Sequence, residues 1–177
     1  MSDKYLVISA QGKDRPGIVN TLSKAALDSG CNITNSRMAV LGGEFALILL
    51  INGNAEAIAA MHQRLPGLEQ ELQLTITARS TTPRAAEQHC IPYRVEVVAM
   101  DHPGIVHPIT EFFSRQKINI EELETETYAA PHTGTTMFAL WMTVAVPNSI
   151  SISQLRETFI EFCDELNVDA SFEMARD

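Results

Sequence analysis

One stretch of the chain occurs twice in nearly the same form. Asp14-Arg-Pro-Gly-Ile-Val19 returns as Asp101-His-Pro-Gly-Ile-Val106, 87 positions later. Cys31-Asn32-Ile33 and Ile118-Asn119-Ile120 keep that same offset, so two separate matches share one register. Phe45-Ala-Leu47 and Phe138-Ala-Leu140 stand 93 apart, which puts six extra residues into the second copy, in the loop from Ala129 to Thr135. A repeat of this period means one structural unit built twice. The 177 residues are therefore two small domains rather than one ordinary one.

Each copy opens on a strand with half-buried alternation, Leu6, Ile8 and Ala10 in the first and Tyr93, Val95 and Val97 in the second. The Pro-Gly that follows starts a helix. Its apolar positions, Ile18, Val19, Leu22, Ala25 and Ala26 or Ile105, Val106, Ile109, Phe112 and Phe113, keep helical spacing. Pro16 and Pro103 suit the first helical turn, whereas Pro108 is expected to distort its helix.

Gly30 ends the first helix. Residues 32–41 and 44–52 then read as strands joined by Gly42-Gly43. Second helices are expected over Asn54 to Leu65 and Ser151 to Leu166, the latter opened by a Ser151/Gln154 capping box. Last strands are expected near Leu72 to Arg79 and Asp169 to Ala175. The order predicts an α+β protein of two tandem ferredoxin-like βαββαβ units, each an antiparallel sheet with both helices on one face. Unit one is 1–80, a polar linker that contains Pro83 is 81–91, and unit two is 92–177.

Several function classes drop out. The longest apolar stretch, Phe45 to Ile51, is too short to span a membrane, and residues 1–4 lack the basic and apolar regions of a signal peptide. A cytoplasmic protein without membrane contact is expected. Cys31, Cys90 and Cys163 are scattered and odd in number, which suggests reduced thiols rather than disulfides or zinc ligands.

The formal charge of −9 is uneven: residues 1–80 carry seven basic and seven acidic residues, and residues 81–177 carry six against fifteen. Without a cationic cluster to displace counterions, direct nucleic-acid binding is not expected. No nucleophile elbow, phosphate-binding Gly-rich run or metal-ligand spacing occurs, so neither an enzyme nor a cofactor or metal site is expected.

The duplicated Asp-x-Pro-Gly motif with Asn-Ile in register resembles that of tandem ACT-domain proteins, over essentially the whole chain. That resemblance implies a regulator that binds a small amino acid, glycine foremost, and has no DNA-binding module. It further implies repression through a complex with a DNA-binding activator protein. The implied ligand set is Asp14, Arg15, Pro16, Gly17, Ile18, Asn32 and Ile33 in the first copy, and Asp101, His102, Pro103, Gly104, Ile105, Asn119 and Ile120 in the second.

The chemistry fits such a ligand. Gly17 or Gly104 lets it approach the backbone, a helix N-terminus favours its carboxylate, and a nearby asparagine can donate or accept. The expected pocket sets each bend beside the asparagine of its own unit. Arg15 against His102 makes the two copies unequal. Two rivals share this layout: a ligand-free interaction module that forms a homodimer or recruits a partner, and a detached regulatory subunit of an amino-acid enzyme. Glu122, Glu124 and Glu126 should point the same way from their strand, as a solvated face or a dock for a basic partner, and Trp141 should lie in the core or at a sheet interface.

Overall fold

The computed structural model describes residues 3–83 and 90–175. The chain divides into two compact units, Met1–Ala85 and Ala86–Asp177. Most of the expected linker, 84–89, lies outside the described residues, and Cys90 and Ile91 already belong to a strand.

Unit one runs β1 (Lys4–Lys13), α1 (Ile18–Asp28), β2 (Asn32–Leu41), β3 (Glu44–Gly53), α2 (Ala55–Leu72) and β4 (Thr75–Thr81). Unit two runs β5 (Cys90–Met100), α3 (Val106–Arg115), β6 (Asn119–Ala129), β7 (Thr136–Pro147), α4 (Ile152–Glu165) and β8 (Asp169–Met174). The sheets have the orders β2-β3-β1-β4 and β6-β7-β5-β8, with antiparallel neighbours. The βαββαβ reading therefore holds in both copies.

Period decides which side chains meet. Leu6, Ile8 and Ala10 of β1 join Phe45, Leu47, Leu49 and Ile51 of β3 in one buried cluster with Ile18, Leu22 and Met61 from the helices. In unit two, Val95, Val97, Leu140 and Val144 pack with Ile109, Phe113 and Phe159 in the same way. Full burial of such a side chain stabilises by about 1.5–3 kcal/mol. The alternate strand residues are left on a second sheet face that no helix of their own unit covers.

Local details depart from the sequence reading where packing outweighs propensity. α2 does not stop at Leu65 but passes through Pro66 to Leu72. Leu68 and Leu72, 7% and 5% exposed, continue its buried stripe and offset the hydrogen bond that the proline removes. Pro16 and Pro103 lie in the turns ahead of α1 and α3, not in the helices. Pro108 sits inside the first turn of α3, where an amide has no intrahelical partner, and α3 starts at Val106, one residue later than the counterpart of Ile18, at which α1 starts. The expected capping box is absent: Ser151 is the N-cap of α4 but makes no cap hydrogen bond. Asn54, by contrast, accepts from the Ala57 amide at 2.8 Å and caps α2.

Candidate functional site

The two bends after β1 and β5 are built alike. The Asp14 amide donates to the Gly43 carbonyl at 3.0 Å, and the Asp101 amide to the Thr136 carbonyl at 2.9 Å, so each bend is tied to the start of its unit's third strand. The chain then turns through Gly17 at φ 96° and Gly104 at φ 97°. An L side chain in that left-handed region costs about 1–2 kcal/mol. A Cβ at either glycine would meet nothing within 4 Å. The glycine is thus required by backbone conformation, and the space over the bend is open.

No side chain caps α1 or α3, which leaves the amide-bearing end of each helix facing that open space. Such an end favours a carboxylate. The residues from Asp14 to Gly17 and from Asp101 to Gly104 are exposed, whereas Ile18 and Ile105 are 2% and 4% exposed and anchor each bend in its core. Of the isoleucines, only the backbone can meet a ligand.

Arg15 and His102 do different work. The Arg15 guanidinium donates from Nη2 to the Glu71 carbonyl at 2.9 Å, satisfying the last turn of α2. The His102 Nδ1 lies 3.0 Å from the Pro103 carbonyl, within its own bend. The neighbouring loops differ as well. The first bend adjoins the bare Gly42-Gly43 turn, and the second adjoins the longer loop closed by the Ala130 amide on the Thr135 carbonyl at 2.8 Å.

The asparagines are not where a one-unit pocket needs them. Asn32 pairs with Asn52, which is level with Tyr5 of β1, whereas the first bend follows the Lys13–Glu44 pair. Asn119 pairs with Ala145, level with Pro92, whereas the second bend follows the Met100–Met137 pair. Each separation is eight residues along a strand, about 27 Å.

The cause is topological: β2 and β1 are both antiparallel to β3 and so run parallel, and α1 returns the chain to the end where β1 began. Asn32 and Ile33, and likewise Asn119 and Ile120, therefore share no pocket with the bend of their own unit. This corrects the expected pocket. Asn32 instead faces a polar group that the sequence did not reveal, in which Asn52 Nδ2 donates to the Asp3 carboxylate at 2.9 Å while Asn52 Oδ1 is buried without a partner. Only the register of β2 on β3 could have shown it.

Cys31 and Cys163 are buried thiols, and burial holds the Cys31 thiol above its ordinary range and pushes Cys163 up to about 12. Neither is a thiolate near neutral pH, so neither is a poised nucleophile. Among the described residues no cluster of three or more His, Cys, Asp or Glu could hold a metal ion, and no helix is long and apolar enough to cross a membrane.

Comparison with known proteins adds three findings. The family model described as ACT domain matches residues 4–79. Glycine cleavage system transcriptional repressors from Escherichia coli (strain K12) and Shigella flexneri are each 36% identical over 170 residues, covering 96% of this chain and 90% of theirs. Among solved structures, an uncharacterised protein from Galdieria sulphuraria matches 99% of this chain and all of its own at 32% identity and a TM-score of 0.80. One provisionally described as a glycine cleavage system transcriptional repressor covers both chains fully at 30% identity and a TM-score of 0.73.

Proposed function

The chain belongs to the ACT-domain family, within the glycine cleavage system transcriptional repressors, and on that premise we propose that it is a cytoplasmic, non-enzymatic repressor that senses glycine. A regulatory role follows from the relatives. The finer reading is that glycine binding alters a complex with a DNA-binding activator, since a net charge of −9 and the lack of a run of Lys and Arg in the sequence do not favour direct contact with nucleic acid.

The observation that carries the sensing is the duplicated bend: a left-handed glycine under open space, ahead of a helix without a side-chain cap. In the proposed contact the ligand's carboxylate meets the helix amides, and Asp14 or Asp101 faces its ammonium. The contact set is then Asp14 to Ile18 and Asp101 to Ile105. Asn32 and Asn119 would join it only from a neighbouring copy. Glycine has so few heavy atoms that the dissociation constant should fall between roughly 1 μM and 1 mM.

Thermal melts against a panel of amino acids test this reading. Glycine at about 100 times its dissociation constant should stabilise the folded unit by about 2.7 kcal/mol, a rise of roughly 10–20 °C in the midpoint. Unmoved midpoints with every amino acid up to high millimolar would favour the ligand-free interaction module. Co-purification decides the partner. A DNA-binding protein supports the repressor, and an amino-acid enzyme in its place contradicts it.

A further inference from the structure

The side of each sheet away from its core carries one grid of positions, and the two units fill that grid differently. In unit one, Arg37, Ile48, Ser9 and Thr77 form a row across the four strands. Ala39, Ala46, Gln11 and Thr75 form the next row on the same side. All eight line a single hollow of about 450 Å³. Strands about 4.8 Å apart and rows about 6.8 Å apart make its floor roughly 14 by 7 Å. The volume lies within the range of about 300–1,000 Å³ that small-molecule sites occupy.

The corresponding rows of unit two are Glu124, Trp141, Glu96 and Ser171, then Glu126, Ala139, Val98 and Asp169. Glu96 thus stands for Ser9, Glu126 for Ala39, and the half-buried Trp141 for Ile48. One grid holds an indole of its own chain where the other has small side chains and a space.

The lining of that space narrows what can occupy it. Ala39, Ala46 and Ser9 keep the floor low, and Ile48, 49% exposed, gives it an apolar wall. Ser9, Gln11, Thr75 and Thr77 end in hydroxyls or a carboxamide, groups that donate and accept without charge. None of the four makes a side-chain hydrogen bond among the described residues. The Arg37 guanidinium is held by Asn35 Oδ1 at 2.9 Å and by the Ser36 carbonyl at 3.0 Å, so its plane is fixed at the end of its row. A fixed guanidinium plane stacks on flat rings. No carboxylate lines the hollow among the described residues, so nothing there would compensate a ligand's positive charge.

We propose that this hollow of unit one is a second ligand site, separate from both bends, for a neutral, flat, bicyclic heteroaromatic molecule of the nucleobase class. The ring lies over Ala39 and Ala46 against Ile48, and its edge nitrogens meet Gln11, Ser9 and the two threonines. Unit two has no such site, because Trp141 supplies a flat bicyclic ring of its own at the matching position. The proposal stands whether or not glycine binds at the bends.

Proton–nitrogen correlation spectra of the full chain, titrated with adenine, test it. Saturable shifts of the Gln11, Ala39, Ala46 and Thr77 amides are expected, while Val98, Glu126 and Ala139 of unit two stay fixed. For a ligand of about ten heavy atoms the dissociation constant should be near 1 mM. Ile48→Trp gives unit one the side chain that unit two carries, and should abolish the shifts with the circular dichroism of the native chain. Gln11→Ala, at an exposed position, should weaken adenine by about two- to tenfold, the loss of one hydrogen bond. Indole, which has the shape without the accepting edge, should bind more weakly than adenine. Amides of the hollow that stay unmoved up to the solubility limit of adenine, shifts that survive Ile48→Trp in a folded chain, or indole binding as tightly as adenine would each overturn the proposal.

Discussion

Unit one and unit two share one backbone plan but fill it with different material. The first core is aliphatic, with Phe45 as its sole aromatic among buried residues. The second stacks Tyr93 on Phe172 at 5.0 Å between centroids and gathers Phe112, Phe113, Phe159 and Phe162 at 5.1–5.2 Å. Their bends, however, take the same left-handed φ at the glycine, 96° at Gly17 and 97° at Gly104. The difference teaches that apolar period and volume specify the sheet and helices, whereas the bend is specified by a conformation that only glycine adopts without strain.

That contrast can be broken by substitution. Phe113→Ala removes a ring that is 0% exposed at the centre of the aromatic group. It should cost about 3–5 kcal/mol, and hydrogen exchange should show the loss in unit two while unit one keeps its protection. Equal loss in both units would mean that the cores are not separate. Gly17→Ala and Gly104→Ala should each cost about 1–2 kcal/mol in denaturant melts, because both force an alanine into the left-handed region. A large inequality would deny that the bends are equivalent. Smaller still is the contrast between caps: Asn54→Ala should cost about 1 kcal/mol, and Ser151→Ala only a few tenths, since Ser151 makes no cap hydrogen bond.

The fold was legible because the repeat supplied two readings of one pattern. Where Gly30 left a boundary clear, the homologous boundary near Gln116 could be inferred from the offset. The end of α2 was misplaced at Leu65, because the buried stripe continues past Pro66 to Leu68 and Leu72. The bends were also legible, since Pro-Gly before an apolar helix has few other uses. The placement of Asn32 and Asn119 was not, although the element order contained it: a strand that follows a returning helix starts at the far end of the sheet. The open sheet faces were half legible. Alternation put Glu122, Glu124 and Glu126 together, but only register set Trp141 among them and gathered the hollow of unit one from four strands.

The account rests on the bends as the places where a zwitterion is held by backbone amides. Proton–nitrogen correlation spectra of the labelled chain, titrated with glycine, test this residue by residue. Saturable shifts of the Ile18, Val19, Ile105 and Val106 amides, in one unit or both, are the predicted result. Spectra in which these amides stay fixed while glycine reaches high millimolar, or in which only amides remote from both bends move, would contradict it.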